Sequence, residues 1–240
     1  MDRGNPKNSK NYAESFSLIE DGIDLAVQEE YLKLSDTIEF NRNDYKMLLK
    51  DSKKLFSEET GTEAKKKLLI LLAHSGTAES YQIIEKYLRQ ASGEWKDWAL
   101  ISLKECRAFL ESDLLEVEGG FLSTGLGGKE DKLRYFFVVS PKEGLAFSET
   151  HRSTLKRAFE TIGQKYNAEI EEIHFGTDHV MIRMLIPMDV AVGVVIEKGI
   201  RECNKTNDFL KFHYYITNVK KPSNEEILKY LAEIKREKKV

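Results

Sequence analysis

The stretch Glu172 to Pro187, E-I-H-F-G-T-D-H-V-M-I-R-M-L-I-P, constrains the fold of this chain more than any other. Two strand-like runs are separated by Gly176-Thr177-Asp178, a composition that turns the chain, so the stretch predicts a hairpin. In the second run Val180, Ile182, Met184 and Ile186 recur at every second position. That period sends all four to one face of a strand and leaves His179, Met181 and Arg183 to share the other.

The segments around the hairpin extend the pattern. Helix-like segments precede it (Ser148 to Asn167) and follow it (Val190 to Asn204), and strand-like runs flank these at Lys132 to Val139 and Phe212 to Val219. A last helix is expected from Asn224. The order strand, helix, hairpin, helix, strand predicts a split βαβ, or ferredoxin-like, antiparallel α/β sandwich for residues 132–240.

The first half reads differently. Residues 1–11 are polar and carry three Lys or Arg, so they are expected to be a disordered tail. From Tyr12 to Leu115 the apolar spacing is helical throughout, with breaks at Gly61, Gly76-Thr77 and Ser92-Gly93. The run A-K-K-K-L-L-I-L-L-A-H-S-G followed by D-W-A-L-I-S-L-K-E-C resembles HEAT-type helical repeats, and a plain helical bundle fits equally. The whole chain is therefore expected to be α+β, a helical domain (12–115) followed by the sandwich. His74 stands alone near a helix end and reads as a capping or packing residue. Gly119, Gly120, Gly125, Gly127 and Gly128 mark residues 116–131 as a linker. G-L-G-G precedes a strand instead of joining a strand to a helix, so it lacks the setting of a phosphate-cradling loop.

Charge sets limits on partners. Residues 121–240 hold 20 Lys and Arg against 17 Asp and Glu, while the whole chain holds 37 against 40. That weak excess does not mark a dedicated nucleic-acid binder by charge alone. Cys106 and Cys203 are far apart in helix-like contexts, as buried thiols in a reducing compartment would be. The N-terminus has no apolar core of the signal-peptide kind, and no run approaches the roughly 20 apolar residues of a membrane span. The expectation is a cytoplasmic protein with no membrane partner.

From Lys132 onward, the order of elements and the strings D-H-V-M-I-R-M-L-I-P (178–187), V-A-V-G-V-V-I-E-K-G-I and Y-Y-I-T-N-V-K-K-P-S-N-E-E-I-L-K-Y (214–230) resemble the single-tyrosine HUH transposases of small bacterial insertion sequences. The resemblance implies single-stranded or hairpin DNA as substrate, a divalent metal held by two histidines at i and i+2 on one strand, and a homodimer. It implies a tyrosine on the last helix as nucleophile, with a metal-binding glutamine four residues later. His179 matches the first histidine and Tyr230 the nucleophile. Met181 stands where the second histidine belongs, and a thioether is a poor ligand for Mg²⁺ or Mn²⁺. Ile234 stands in the glutamine's place, and the neighbouring Glu233 projects about 100° away round the helix. No metal site and no cofactor are therefore expected, and Tyr230 and His179 read as vestigial. His174 and His213 could replace the missing ligand, though nothing in their spacing requires it.

Single-stranded nucleic acid needs cations for phosphates and aromatic rings for bases. Arg183, Arg134, Lys211 and Lys220 are the candidate phosphate contacts, with Lys221 beside them and Tyr135, Phe137, Phe212, Tyr214 and Tyr215 as candidate stacking rings. A solvated surface and an ordinary core explain the same residues, and Arg183 could instead pair with a carboxylate such as Glu233. The leading expectation is a nucleic-acid-binding protein with a transposase-like fold that has lost metal-dependent cleavage, its helical half recruiting a protein partner. The alternatives are an active transposase or nuclease with a rebuilt metal site, and a protein-interaction module with no nucleic-acid role.

Overall fold

Val180, Ile182 and Ile186 are fully buried on one face of a strand, as their alternation predicts, and Met184 joins them. The computed structural model describes residues 16–115, 120–122, 124–143 and 145–237, with side chains described at 18–111, 124–143 and 145–233. Contacts divide the chain into two units, residues 1–123 and 124–240. The tail expected at 1–11 lies outside the described residues.

The first unit contains a strand β1 (Phe16–Leu18) and helices α1 (Leu25–Ser35), α2 (Tyr45–Asp51), α3 (Thr62–Ser75), α4 (Ala78–Leu88) and α5 (Glu94–Leu115), then a strand β2 (Gly120–Leu122). Local signals set several helix starts. Asp24 accepts from the Ala26 N–H ahead of α1, and Thr77 accepts from the Ser80 N–H ahead of α4. Trp98, Tyr31, Leu69, Leu72 and Ile84 form the core of this unit. Lys66 enters it too, its ammonium 2.6 Å from Glu30 and 3.0 Å from Glu94 and over the Trp98 ring. An all-helical unit is corrected by β1, which pairs in parallel with β2. Two strands of three residues, about a hundred positions apart, are too short to show a period of two.

The second unit begins with a tight structure where a linker was expected. A short strand β3 (Gly128–Lys129) pairs with β4 (Lys132–Pro141). The Leu126 N–H donates to Asn218 O at 3.0 Å, and Arg134 N–H donates to Gly127 O at 3.1 Å. Thereafter come α6 (Glu149–Tyr166), β5 (Glu169–Phe175), β6 (Val180–Pro187), α7 (Val192–Asn204), β7 (Leu210–Thr217) and α8 (Asn224–Glu237).

The sheet is antiparallel. β4 pairs with β6 on one edge and with β3 and β7 on the other, and β6 pairs with β5, so the order across the sheet is β7, β4, β6, β5. Ser148 caps α6 in a reciprocal box with His151, and Asn167 closes that helix in the left-handed conformation. Helices α6 and α7 cover one face, burying Leu155, Phe159, Val195, Ile196 and Ile200 against Phe137, Val139, Val180 and Ile182. Burying each such side chain contributes about 1.5–3 kcal/mol. α8 packs on the opposite face, where Ile227 and Leu231 meet Phe136, Val138 and Met181. The second face thus gathers Arg134, Met181, Arg183, Tyr215 and Tyr230, whereas the candidate rings Tyr135, Phe137 and Tyr214 pack into the core beneath α6 and α7.

Candidate nucleic-acid interface

Strand pairing places Val138 opposite Met181 and Phe136 opposite Arg183, with His174 and Glu172 as their neighbours on β5. Side chains on this face alternate with those of the α6–α7 core, which makes the face a direct product of the period-two pattern. One register irregularity changes it. β5 carries a bulge between Ile170 and Glu172, with Glu171 as the extra residue. The bulge turns Ile170, Ile173 and Phe175 toward the core, where they pack, and leaves Glu171 and Glu172 together on the α8 face.

Those two carboxylates hold both candidate arginines. Arg134 donates through Nε and Nη2 to the two oxygens of Glu171, at 2.6 and 2.9 Å, and through Nη1 to Leu126 O at 2.8 Å. Arg183 Nε lies 3.0 Å from Glu171 Oε2, and Arg183 Nη1 lies 3.2 Å from Glu172 Oε2. The Arg183 Nε–H is not aimed along its short contact, so this buried donor has an ion pair but no hydrogen-bond acceptor among the described residues. The fork of Arg134, joined by Arg183, holds the Glu171 carboxyl below its ordinary range. Glu233 is exposed and is not the partner of Arg183 in this arrangement; Glu171 and Glu172 are.

The lysines are engaged as well. The ammonium of the buried Lys211 lies 4.0 Å from Glu143. Lys220 bonds Glu226 at 2.9 Å, and Glu226 also accepts from the Ser223 N–H at 2.8 Å, closing a capping box that starts α8. These contacts depress the Glu226 carboxyl to about 2, Lys220 being the larger cause. Lys221 and Arg183 both lie over the ring of Phe136, at 6.0 and 5.6 Å from its centre. Of the candidate rings, Phe137 is fully buried, Tyr135, Tyr214 and Tyr215 are half-buried, and Phe212 is exposed.

Among the described residues, neither Tyr230 nor His179 lies in a group of three or more His, Cys, Asp or Glu that could hold a metal. Tyr230 packs against Tyr215 at the edge of the apolar cluster, and burial raises its phenol well above the ordinary value. The His179 ring folds back over the turn: a Cβ on Gly176 would meet it at 2.7 Å, and its Nδ1 lies 3.0 Å from Asp178 Oδ1. Met181 is buried, 7% exposed, within the cluster formed by Ile227 and Leu231. His174 is exposed, 3.7 Å from Glu172, and His213 is exposed on β7. Ile234 belongs to α8, but its side chain lies outside the described residues. Among the described residues no three His, Cys, Asp or Glu come together as a metal would need.

In the first unit, His74 has a packing role with more partners than its sequence context suggests. Its Nε2 lies 2.8 Å from Ser35 Oγ, and its ring meets Phe109 edge-on. Ser35 also donates to Glu105, at 3.4 Å, and Tyr31 donates to the same carboxylate at 2.6 Å. Neither Glu105 nor the pair Glu171 and Glu172 was singled out by sequence. The spacing of Ile170, Ile173 and Phe175, three then two, carries the signal for the second, because only a bulge puts all three on one face.

No protein-family profile matches the chain, and no curated protein matches it in sequence. Among solved structures, it is similar to a REP-associated tyrosine transposase bound to a REP hairpin, with 11% identity and a TM-score of 0.33 over 39% of this chain and 60% of that one. It is also similar to a candidate transposase from Deinococcus radiodurans R1, with 14% identity and a TM-score of 0.36 over 42% of this chain and 90% of that one. The chain spans 60% of the length of the first of these. Both are distant likenesses to transposase structures and concern the fold alone. No helix among the described residues is long and apolar enough to cross a membrane.

Proposed function

We propose that the second unit is a transposase-like nucleic-acid-binding domain that does not cleave DNA through a metal, and that the helical unit recruits a protein partner. One observation carries the loss of cleavage: Met181, in the place of a metal ligand, is buried among Ile227, Leu231 and Val138. A thioether in an apolar cluster offers a hard cation neither charge nor access. The buried phenol of Tyr230 supports the same reading, since a nucleophile must lose its proton and reach a phosphate. Binding is supported by the grouping of Arg134, Arg183 and Lys221 on the face that carries Phe136 and Tyr215. A homodimer through this unit belongs to the same proposal.

The test is a salt titration of binding to a DNA hairpin and to a single-stranded oligonucleotide, with and without Mn²⁺. Expected are weak, salt-sensitive binding and no nicking. Metal-dependent nicking that Tyr230→Phe abolishes would establish the active-enzyme alternative instead. Absence of binding at low salt would favour a protein-interaction module. One observation already speaks for that second reading: Arg134, Arg183, Lys211 and Lys220 each have a carboxylate partner inside the unit.

A further inference from the structure

Arg134 and Arg183 stand on neighbouring strands, and both reach the same bulge on the third. The bulge is not needed to bury charge; a regular strand would place only Glu169 and Glu171 on this face. By adding Glu172 it gives two guanidinium groups two carboxylates, which cancels the local charge. Glu169 continues the row by bonding the ammonium of Lys132. Three of the cations on this face, Lys132, Arg134 and Arg183, are thereby paired with three carboxylates of one strand.

We propose that Glu171 and Glu172 are a built-in competitor for phosphate, placed by the β5 bulge to occupy Arg134 and Arg183 until a polyanion displaces them. The proposal rests on the nucleic-acid reading above. A carboxylate and a phosphodiester each carry one negative charge and two accepting oxygens, so exchanging one for the other at a guanidinium is nearly balanced. A single phosphate therefore gains little at this face. A strand that makes further contacts along the same chain gains more, because its phosphates arrive tethered to one another. Arg183 tips the exchange: its Nε–H is buried without an acceptor, and an incoming oxygen would supply the hydrogen bond that Glu171 does not. The competitor thus selects against small anions and sets a threshold for extended ones.

The experiment compares the unmodified protein with Glu171→Gln/Glu172→Gln, using a labelled hairpin and a single-stranded oligonucleotide over a range of salt. Glu160→Gln/Glu197→Gln removes the same charge from the helices on the other face and serves as the control. Release of two guanidinium groups should tighten binding at least about tenfold at low salt and steepen the salt slope by between one and two. Inorganic phosphate should not compete at concentrations matched in ionic strength. Unmodified protein that binds, with the double variant no tighter than the control, overturns the competitor and leaves the nucleic-acid reading standing. Absence of binding by every protein overturns both. Circular dichroism checks the fold; if the double variant does not fold, Glu172→Gln alone frees only the second contact of Arg183 and should show a smaller gain in the same direction.

Discussion

The ring of Tyr230 lies 5.7 Å from that of Tyr215, and its hydroxyl is buried with no hydrogen-bond partner among the described residues. Tyr215 is in turn opposite Val138 in the sheet, so the pair couples α8 to the central strand.

A buried hydroxyl without a partner has lost its water and gained nothing for it. Tyr230→Phe keeps the ring and removes that cost, so it should stabilise the protein by on the order of 1 kcal/mol. Urea denaturation measures it. A loss of stability instead would mean that the hydroxyl bonds a water or another group on this face. Nucleic-acid binding should not change, because the phenol is not offered to a ligand.

Met181→His reverses the substitution that the resemblance points to. Across the strand pair the new imidazole would have His174 beside it, exposed and already near Glu172, and apolar Val138 on the other side. It would enter the cluster of Ile227 and Leu231 without a buried acceptor. The expected result is a loss of about 1–3 kcal/mol, with no rise in melting temperature on adding Mn²⁺. A Mn²⁺-dependent rise would show a site able to hold metal once one ligand is restored.

Why the sequence led to the hairpin but not to the ion-pair network follows from the range of the forces. Alternation at 180–186 and the capping pair Ser148 and Asn167 are local: each states its own conformation through side-chain period or backbone preference. The partner of Arg183 is non-local. Glu233 is the candidate when only helix and strand directions are considered, but the bulge brings Glu171 and Glu172 nearer. Reading E-I-E-E-I-H-F as a regular strand would leave Ile173 facing outward, and that conflict is the only local trace of the network. β1 and β2 leave no such trace, because their pairing joins segments that meet only after the helices between them have packed.

Acid should loosen the start of α8 before it affects the sheet core. The Glu226 carboxyl is depressed from the ordinary 4.5 to about 2 by Lys220 and Ser223. A depressed carboxyl stabilises the fold above its unfolded value, and that contribution disappears as pH falls through the folded one. The window is therefore about pH 4.5 down to 2, and above it this group adds no pH dependence. Helical signal followed by circular dichroism should fall through that window in the unmodified protein and less so in Glu226→Gln, which starts without the charge. Equal profiles would remove Glu226 from the account.

Gly125 separates a linker from a built part of the second unit. A Cβ added there would lie 1.7 Å from Val219 O and 2.6 Å from its carbonyl carbon. These are backbone atoms, held in turn by the bond from the Leu126 N–H to Asn218 O, so no side chain can swing aside to make room. Gly127, two residues later, takes a positive φ of 65° before its carbonyl accepts from Arg134 N–H. The glycines thus serve close approach and a turn, two uses that a flexible connection would not have. Gly125→Ala should therefore destabilise the protein at or beyond the upper end of the roughly 1–3 kcal/mol that overpacking costs. The same change in a solvated linker would be neutral. Because the displaced segment carries Val219, next to Lys220 and the cap of α8, helical signal should fall together with stability. A variant as stable as the unmodified protein would return residues 124–127 to the status of a linker.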